Sequence, residues 1–311
     1  MSIVCFGELL IDFVALEHGV TVGEASGFIK APGGAPANVA VAVQRLGHPA
    51  AFMGQVGDDP FGHYLVGVLE SNGVDVSGMT FAPEARTALA FVSLRLDGER
   101  SFMFYRHPSA DMLLRPQDLK LDVMAGKRIF HFGSISMIGE PSRSATLKAV
   151  QHAVAQGMFV SYDPNLRLAL WPDADAARAG MKIGLEYARF VKVSEEELEF
   201  LTGGNDAAAL WCGAMQVLVV SRGAQGASIY TRTAHYDVPS FNVSAVDTTG
   251  AGDAFVAAML VGILENADYE QKLPEIARFA NAVGALTTTQ KGAIPSLPTR
   301  GAAEAFMKAM S

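Results

Sequence analysis

The sequence predicts an α/β protein, in which helices cover both faces of a mostly parallel β-sheet and a small antiparallel sheet stands off to one side. Three observations support this fold class. Short apolar runs, typical of buried strands, alternate with helical patterns over most of the chain. Residues 87–106 break that alternation and are typical of a β-hairpin. The length of 311 residues suits two domains, or one large α/β domain with an insertion.

The strands and helices of the main sheet are predicted in chain order from their apolar patterns. The first strand, 2–6, is a run of mostly β-branched and aromatic residues, and the helix 36–46 follows it with a proline in its first turn. Further buried strands are predicted at 51–56, 129–132, 159–162, 190–193 and 217–220. Further helices are predicted at 143–156, 174–187, 195–201 and 253–265.

The small sheet is predicted from two insertions. The hairpin strands 87–96 and 101–106 flank an Asp97-Gly98 turn, and residues 13–16 and 27–30 could supply neighbouring strands. We therefore expect the segments 12–32 and 87–107 to form a lid. The core would then consist of 1–11, 33–86 and 108–311. A small flap on a large domain implies a cleft that can close over a substrate.

Composition and charge exclude several classes of protein. The chain has 24 Lys and Arg against 32 Asp and Glu, and this acidic balance argues against nucleic acids and membrane surfaces as partners. The apolar N-terminal run carries Glu8 and Asp12 and lacks a basic start, so it predicts neither a signal peptide nor a membrane span. Cys5 and Cys212 give no disulfide framework and no metal-ligand spacing. We expect a cytoplasmic protein.

The segment 247–253, Asp-Thr-Thr-Gly-Ala-Gly-Asp, carries the strongest chemical signal. Its small residues let successive N–H groups face one point, and the apolar helix behind them adds the positive end of its dipole. Asp253 would place a carboxylate beside the bound anion, as a kinase needs to accept the proton of an attacking hydroxyl. Alternatively, Asp253 only caps the helix.

Two further groups could contact a sugar. Gly33 and Gly34 let the backbone approach a ligand closely, and Asn38 offers both donors and an acceptor to hydroxyls. The alternative is a simple Gly-Gly turn before a helix that starts with proline. Asp12 follows the first strand at its carboxyl end, where ligands bind in open α/β sheets, and it could accept hydrogen bonds from two hydroxyls or be a turn residue.

Other phosphate-binding and metal motifs are absent from the sequence. There is no G-x-x-x-x-G-K-[ST], and no G-x-G-x-x-G follows the first strand. The seven histidines show no H-E-x-x-H or comparable clustering. These absences argue against a Walker-type NTPase, a common dinucleotide-binding fold and a zinc enzyme.

The run GGAPANVAVAVQRLG at 33–47 and the run DTTGAGD at 247–253 together resemble the signatures of the PfkB, or ribokinase-like, family of carbohydrate kinases. The likeness extends from residue 3 to about residue 300. It implies a ribokinase-like three-layer α/β/α core with a β-sheet lid, and transfer of the γ-phosphate of ATP to a sugar hydroxyl with Mg2+. A homodimer formed through the lid is a further expectation of the family.

The resemblance also implies roles for individual residues. The base would be Asp253, with the anion hole formed by the backbone of Gly250, Ala251 and Gly252. The sugar would be bound by Asp12, Gly33, Gly34 and Asn38. The nucleotide would be bound by Asn165, Ser194, Ser221, Gly223, Gly226 and Asn281.

Two metal sites follow from the resemblance. The loop 291–296, through Gly292 and Ser296, would hold a monovalent cation such as K+ together with Asp247 and Thr249, unless it is only a turn. The family often has Asn-x-x-Glu near its magnesium, where this chain reads Ser194-Glu195-Glu196-Glu197. Glu197 would orient magnesium waters, or would form a capping box with Ser194.

The substrate is predicted from the flanks of these motifs. GGAPAN, the run 104–114 and the run 163–167 are similar to bacterial fructokinases, and in part to 2-keto-3-deoxygluconate kinases and aminoimidazole riboside kinases. Arg106 and Arg167 could reach substrate or phosphate oxygens, or pair with a surface carboxylate. Fructose is the first hypothesis. A different class, a non-catalytic sugar- or nucleotide-binding regulator, is the rival, although the chain retains both the base and the anion hole.

Overall fold

The computed structural model describes residues 2–94 and 100–310, and its strands form two sheets. The strands are β1 (Ile3–Phe6), β2 (Leu10–His18), β3 (Phe28–Gly33), β4 (Ala50–Gly57), β5 (Asp75–Ala82), β6 (Leu89–Leu94), β7 (Arg100–Tyr105), β8 (Ile129–Gly133), β9 (Phe159–Asp163), β10 (Phe190–Ser194), β11 (Val217–Ser221), β12 (Ala227–Tyr230) and β13 (His235–Val238). The helices are α1 (Ala35–Arg45), α2 (Pro60–Ser71), α3 (Ser142–Ala155), α4 (Ala174–Tyr187), α5 (Glu195–Thr202), α6 (Ala251–Glu265), α7 (Leu273–Thr287), α8 (Ala293–Ser296) and α9 (Arg300–Ala309).

The larger sheet has nine strands in the order β13-β12-β11-β10-β9-β8-β1-β4-β5. Its strands from β11 to β5 pair in parallel, and β12 and β13 continue one edge in antiparallel pairing. The predicted strands and helices of this core are confirmed, with ends shifted by no more than two residues. These elements could be predicted because strands buried on both faces give continuous apolar runs, which differ clearly from the pattern of amphipathic helices.

Helices cover both faces of this sheet and make two apolar cores. One core lies between the sheet and the helices α1, α2, α6 and α7, and the other lies between the sheet and α3, α4 and α5. Because side chains alternate along a strand, β10 sends Phe190 into the first core and Val191 and Val193 into the second. The predicted three-layer arrangement is confirmed.

The smaller sheet has the order β3-β2-β6-β7. Two of its strand pairs are antiparallel, but β2 and β6 pair in parallel, so the expectation of an antiparallel lid holds only within each insertion. The physical reason is that β2 and β6 follow β1 and β5, two core strands that run in the same direction, and both leave the core toward the same side. The predicted Asp97-Gly98 turn lies outside the described residues.

The parallel strands place several loops along one edge of the larger sheet. The carboxyl ends of β1, β8, β9, β10 and β11 all meet there, which is where open α/β sheets bind ligands. Within the described part of the chain, no helix has both the length and the apolar character that a bilayer crossing requires.

Candidate active site

The carboxylate of Asp253 lies at the start of α6 and reaches across to α1. α6 begins after Gly250, whose backbone is left-handed with φ +80°, and no side chain caps the helix. Instead of bonding its own helix, Asp253 accepts a hydrogen bond at Oδ2 from Asn38 Nδ2, at 2.7 Å. The capping interpretation of Asp253 does not describe this geometry, because the carboxylate is oriented by a neighbouring helix.

The surroundings of Asp253 make it a weaker acid than a free aspartate. Burial raises the pKa of its carboxyl to about 6, and the negative charge of Asp163 acts in the same direction. The hydrogen bond from Asn38 opposes this rise in pKa, as do the positive charges of Lys192 and Arg167. A carboxylate with a pKa near 6 is charged at neutral pH and is a better proton acceptor than one at its ordinary value.

The backbone before Asp253 forms a concave turn of small residues. The first N–H groups of a helix have no acceptor within the helix, and of those in α6 the N–H of Ala251 donates to the carbonyl oxygen of Thr248 in the preceding turn, at 3.3 Å. A β-carbon at Gly250 would come within 3.0 Å of Ala293, and the positive φ there also favours glycine. A β-carbon at Gly252 would meet only the Nζ atom of Lys192, at 3.6 Å. The geometry therefore suits an anion at this helix end.

Asp12, Gly33 and Gly34 come together at the start of α1. A β-carbon at position 33 would lie 2.1 Å from Asp12 Oδ2, and one at position 34 would lie 2.4 Å from the carbonyl oxygen of Glu8. Gly34 also has φ +113°, which favours glycine. Glu8 Oε1 accepts a hydrogen bond from the backbone N–H of Ala35, at 3.0 Å, and so holds this turn in place. These residues adjoin Asn38, one turn further along α1.

Arg106 is buried and already has a partner. It forms an ion pair with Asp111, which is buried too, so the alternative of a surface carboxylate is wrong. Its Nε atom is buried and has no hydrogen-bond partner among the described residues. Burial raises the pKa of the nearby Glu8 to about 7, and the Arg106 charge is among the opposing influences. The charge of Arg106 is therefore balanced by that of Asp111.

A cavity of about 380 Å³ opens beside the start of α6. It brings together residues predicted to bind the nucleotide and residues of the predicted anion hole, namely Ser221, Gly223, Gly226, Asn281, Ala251 and Gly252. The amide of Asn281 donates to the carbonyl oxygens of Val238 and Pro239, at 3.0 and 3.1 Å, so it holds the end of β13 in place as well as lining the cavity.

Phe241, Asn242 and Val243 also line this cavity and were not predicted, because nothing in that loop matches a phosphate-binding pattern. Asn165 and Ser194, which were predicted with the nucleotide set, are not among the described residues that line it. They lie on the loops after β9 and β10, at the neighbouring position along the sheet edge.

Glu197 forms the capping box and also joins two loops. Ser194 Oγ accepts from the N–H of Glu197, and Glu197 Oε2 accepts from the N–H of Ser194, at 2.8 Å. Its other oxygen, Oε1, accepts from the N–H of Leu166, at 2.7 Å. Asp163 Oδ1 accepts from the N–H of Asn165, the one described non-glycine residue with positive φ, at 3.1 Å.

These contacts limit how a divalent ion could be held. In the part of the chain that the structure describes, no three His, Cys, Asp or Glu side chains form a group suited to a metal ion. Magnesium bound to nucleotide phosphates needs only one or two carboxylates, since it keeps several waters. Both oxygens of Glu197 already accept backbone hydrogen bonds. The residues therefore fit a magnesium ion carried by the nucleotide, with Glu197 reaching it through water.

The residues predicted to hold a monovalent cation lie together. Asp247 Oδ1 accepts from the N–H of Thr249, at 2.9 Å, and Asp247 Oδ2 accepts from the N–H of Gly292, also at 2.9 Å. Ser296 Oγ donates to the carbonyl oxygen of Gly292, at 2.5 Å. The carboxylate thus joins the loop before α6 to the loop before α8, and the oxygen-rich junction suits a hard cation.

Lys192 and Asp163 are charged residues of the site to which the sequence analysis assigned no role, although Asp163 begins the run 163–167. Lys192 is buried in β10, and its Nζ atom lies 3.2 Å from Asp163 Oδ2. The one signal is a lysine in the middle of an otherwise apolar strand, since its partner comes from a different strand.

Comparison with known proteins agrees with this fold. A model of the pfkB family of carbohydrate kinases matches residues 1–300. The chain is 54% identical over 314 residues to probable fructokinase-2 of Arabidopsis thaliana, covering 98% of this chain and 95% of the plant protein.

Three solved structures share the architecture. The fructokinase of Xylella fastidiosa with bound ATP has a TM-score of 0.91 at 38% identity and covers 99% of this chain and 98% of that one. A double mutant of the Vibrio cholerae O395 fructokinase, bound to fructose, ADP and a potassium ion, has a TM-score of 0.87 at 36% identity, covering 98% and 97%. Aminoimidazole riboside kinase of Salmonella enterica, complexed with aminoimidazole riboside and an ATP analogue, has a TM-score of 0.86 at 32% identity, covering 99% and 100%.

Fold, sequence signatures and relatives agree over nearly the whole length. The large α/β sheet with its separate small sheet is the ribokinase-like fold that these kinases share. With a family model over residues 1–300 and a relative that is 54% identical, the chain belongs to the pfkB family of carbohydrate kinases.

Proposed function

We propose that this protein is an ATP-dependent fructokinase, which transfers the γ-phosphate of ATP to a hydroxyl of fructose and forms fructose 6-phosphate. The observation that carries the proposal is the position of Asp253. Its carboxylate lies at the start of α6, between the cavity suited to a nucleotide and the residues around Asp12 and Gly33 that suit a sugar.

In the proposed reaction, the sugar lies against Asp12, Asn38 and the Gly33–Gly34 turn. Asn38 Oδ1 is buried and has no hydrogen-bond partner among the described residues, so it can accept from a sugar hydroxyl. The hydrogen bond to Oδ2 orients Asp253, and we assign its Oδ1 to the proton of the attacking hydroxyl.

The phosphoryl group moves toward that hydroxyl from the nucleotide side. We propose that the N–H groups of Gly250, Ala251 and Gly252 stabilise the negative charge that grows on its oxygens. Ser221, Gly223, Gly226 and Asn281 would bind the rest of the nucleotide, with Asn165 and Ser194 beside the phosphates. Magnesium, when bound to the triphosphate, would neutralise part of its charge, with Glu197 orienting its waters.

Two observations favour fructose over the related substrates. Fructokinase-2 of Solanum lycopersicum is 53% identical to this chain, whereas the riboside kinase is 32% identical. A keto-acid sugar would need a cationic clamp for its carboxylate, and Arg106 is already neutralised by Asp111. Arg167, which lies close enough to influence Asp253, is proposed to contact the phosphoryl group.

We propose further that K+ binds where Asp247 joins the loops before α6 and α8, with Thr249, Gly292 and Ser296 around it. The Vibrio cholerae fructokinase holds a potassium ion. A requirement for K+ would appear as activity that rises with KCl and much less with LiCl at constant ionic strength.

The small sheet, from segments 12–32 and 87–107, is proposed to be a lid over the cleft and the contact of a cytoplasmic homodimer. Leu16 and Ile29 are more than half exposed and share the face of Asp12, because Ile29 pairs with Val14, two residues from Asp12. Such exposed apolar residues on a sheet favour a partner. Light scattering of wild type and of Ile29→Glu tests this. Wild type should have the mass of a dimer, and the variant should have the mass of a monomer.

An assay of ADP release with fructose, glucose, 2-keto-3-deoxygluconate and aminoimidazole riboside tests the activity. Fructose should be turned over with the highest kcat/KM, and NMR of the product should show phosphate on the 6-hydroxyl. If another member of the panel is turned over and fructose is inert, the assignment of fructose as the substrate is wrong, and the assignment as a kinase holds. Nucleotide binding without turnover of any sugar would favour the non-catalytic regulator.

A further inference from the structure

Lys192 occupies an unusual position for a charged residue. It is the middle residue of β10, a strand of the nine-stranded sheet, and it is 7% exposed. Because side chains alternate, Lys192 points to the same face as Phe190, which packs in the core under α6 and α7. The lysine therefore extends from the sheet toward α6, whose first turn carries Asp253.

The end of the lysine lies beneath the proposed anion hole. Its Nζ atom is 3.2 Å from Asp163 Oδ2, and it would be 3.6 Å from a β-carbon placed on Gly252. Asp163, in turn, holds the loop after β9 through the N–H of Asn165. The ammonium group is thus fixed between the carboxylate of one strand and the backbone of α6.

The charged groups around this point leave Lys192 as the main buried cation. Asp163 of β9, Glu197 of α5 and Asp253 of α6 act on it with negative charge, and together they keep the pKa of Lys192 above its ordinary value despite burial. His131 of β8 is held close to Ser161, with 2.9 Å between its Nδ1 and Ser161 Oγ. Burial, and then the Lys192 charge, lower the pKa of His131 to about 3, so it is neutral. Arg167, which is half-buried, also acts on Asp253.

We propose that Lys192 is a positioning residue of the phosphotransfer site, whose ammonium, fixed by Asp163 beneath Gly252, keeps the carboxylate of Asp253 in its charged, proton-accepting form. The proposal rests on the proposed function, in which Asp253 is the base. The need for such a cation follows from the reaction. A nucleoside triphosphate brings several negative charges to the start of α6, and each of them favours protonation of Asp253. The charge of Lys192 opposes this effect, and it also offsets the charge of its partner Asp163, which favours protonation of Asp253 in the same way as the phosphates do.

A purely structural role for Lys192 is the alternative. A buried ion pair often contributes little net stability, but removing one partner leaves an uncompensated charge and is strongly destabilising. Loss of activity alone would not distinguish the two roles. A change in the acidity of Asp253 does distinguish them, because a structural contact with Asp163 has no reason to change where the base titrates.

The experiment compares wild type with Lys192→Met and with Lys192→Arg. Two quantities are measured: the pH dependence of kcat/KM, and the pKa of Asp253 itself from the carboxyl 13C shift of protein labelled at aspartate. We expect Lys192→Met to move both upward by about one pH unit, the order that a nearby charge produces. At pH 6, kcat/KM of Lys192→Met should therefore be about fivefold lower than that of wild type from this shift alone. Lys192→Arg, which keeps the charge, should return both toward wild type.

Controls separate this effect from misfolding and from failure of the proposed function. Lys182→Met removes a charge from an exposed position on α4 and should change neither quantity. If Lys192→Met does not fold, the double variant Asp163→Asn, Lys192→Met removes both members of the pair. The pKa of its Asp253 should lie below that of the single variant and no higher than that of wild type, because Asp163 raises this pKa at least as much as Lys192 lowers it.

The 13C measurement needs no substrate, so it decides the role of Lys192 even if fructose is inert. An unchanged pKa of Asp253 in a folded Lys192→Met protein would overturn the proposal, whatever the activity. A shifted pKa in a protein that turns over no sugar would support the electrostatic role of Lys192 and reject only the kinase function.

Discussion

Asn38 and Asp253 are separated by 215 residues in the sequence, and yet their side chains share a hydrogen bond of 2.7 Å. The bond joins the first turns of α1 and α6, the two helices that carry the signature motifs of the chain. Because α1 adjoins the sugar residues and α6 adjoins the nucleotide cavity, this contact links the two halves of the proposed reaction.

The first prediction concerns pH. Asp253, with a pKa of about 6, is charged at pH 7 and becomes protonated as the pH falls through 6. A protonated carboxyl group cannot accept the proton of fructose, so kcat/KM should fall by about tenfold for each pH unit below 6. A pH series of initial rates measures this. A constant kcat/KM down to pH 5 would contradict the assignment of the base.

The second prediction concerns Asp253→Asn. Removing a general base costs about 10² to 10⁴ in rate, so kcat should fall by that order while nucleotide binding, measured by calorimetry, is kept. Asp118→Asn, which makes the same change at an exposed aspartate outside the predicted site residues, is the control for the loss of one negative charge.

The same variant has an effect on stability whose sign is set by the pKa. The folded pKa of Asp253 is about 6, above the ordinary value of 3.8, so the folded state binds more protons between these pH values. The charged carboxylate therefore lowers stability above pH 6. Asp253→Asn should raise Tm at pH 7 relative to wild type, and this gain should shrink as the pH falls toward 4. A lower Tm at pH 7 would show that the carboxylate is stabilising.

The third prediction concerns Gly33→Ala. The new β-carbon would meet Asp12 Oδ2 at 2.1 Å, so the carboxylate must move. Hydrogen bonds to a charged group contribute about 1.5–3 kcal/mol, and the KM for fructose should therefore rise by about tenfold or more. Gly67→Ala is the matched control, because nothing lies within 4 Å of its β-carbon and the residue is inside α2. Equal KM values for fructose in the two variants would contradict the assignment of Asp12 to the sugar site.

The fourth prediction separates two roles of Glu197. Glu197→Gln weakens the capping box and the bond to Leu166, and it should lower the free energy of unfolding by about 0.5–2 kcal/mol. If Glu197 also orients magnesium waters, the Mg2+ concentration for half-maximal activity should rise. Glu195→Gln, an exposed residue of the same first turn, serves for comparison. A drop in stability with no change in the Mg2+ requirement would leave only the capping role.

The elements of the core could be predicted because their signals are local. The apolar strands β1, β8, β9, β10 and β11 and the helices α1 and α6 each carry their own pattern within a short stretch. The helix α2 was not predicted, although its N-terminal signals, Asp59 as the N-cap and Pro60 in the first turn, are in the sequence. The strand β5 alternates weakly, with exposed and buried positions mixed, and was not predicted either.

The contacts that could not be predicted join residues from different parts of the chain. Lys192 lies in a strand that reads as apolar, and only its neighbour Asp163 on β9 explains the charge there. Arg106 was expected to meet substrate or a surface carboxylate, and its partner is the buried Asp111. The parallel pairing of β2 with β6 depends on how two separate insertions leave the core, which no local pattern records.

That parallel pair has a mechanical consequence. The small sheet is made from two segments of the chain, and each is tied to the large body at both of its ends. If the small sheet moves as the proposed lid, its two segments must move together, because β2 and β6 pair with each other. In the proposed closure over Asp12, a change at any one of the four attachment points would therefore affect the position of the whole small sheet.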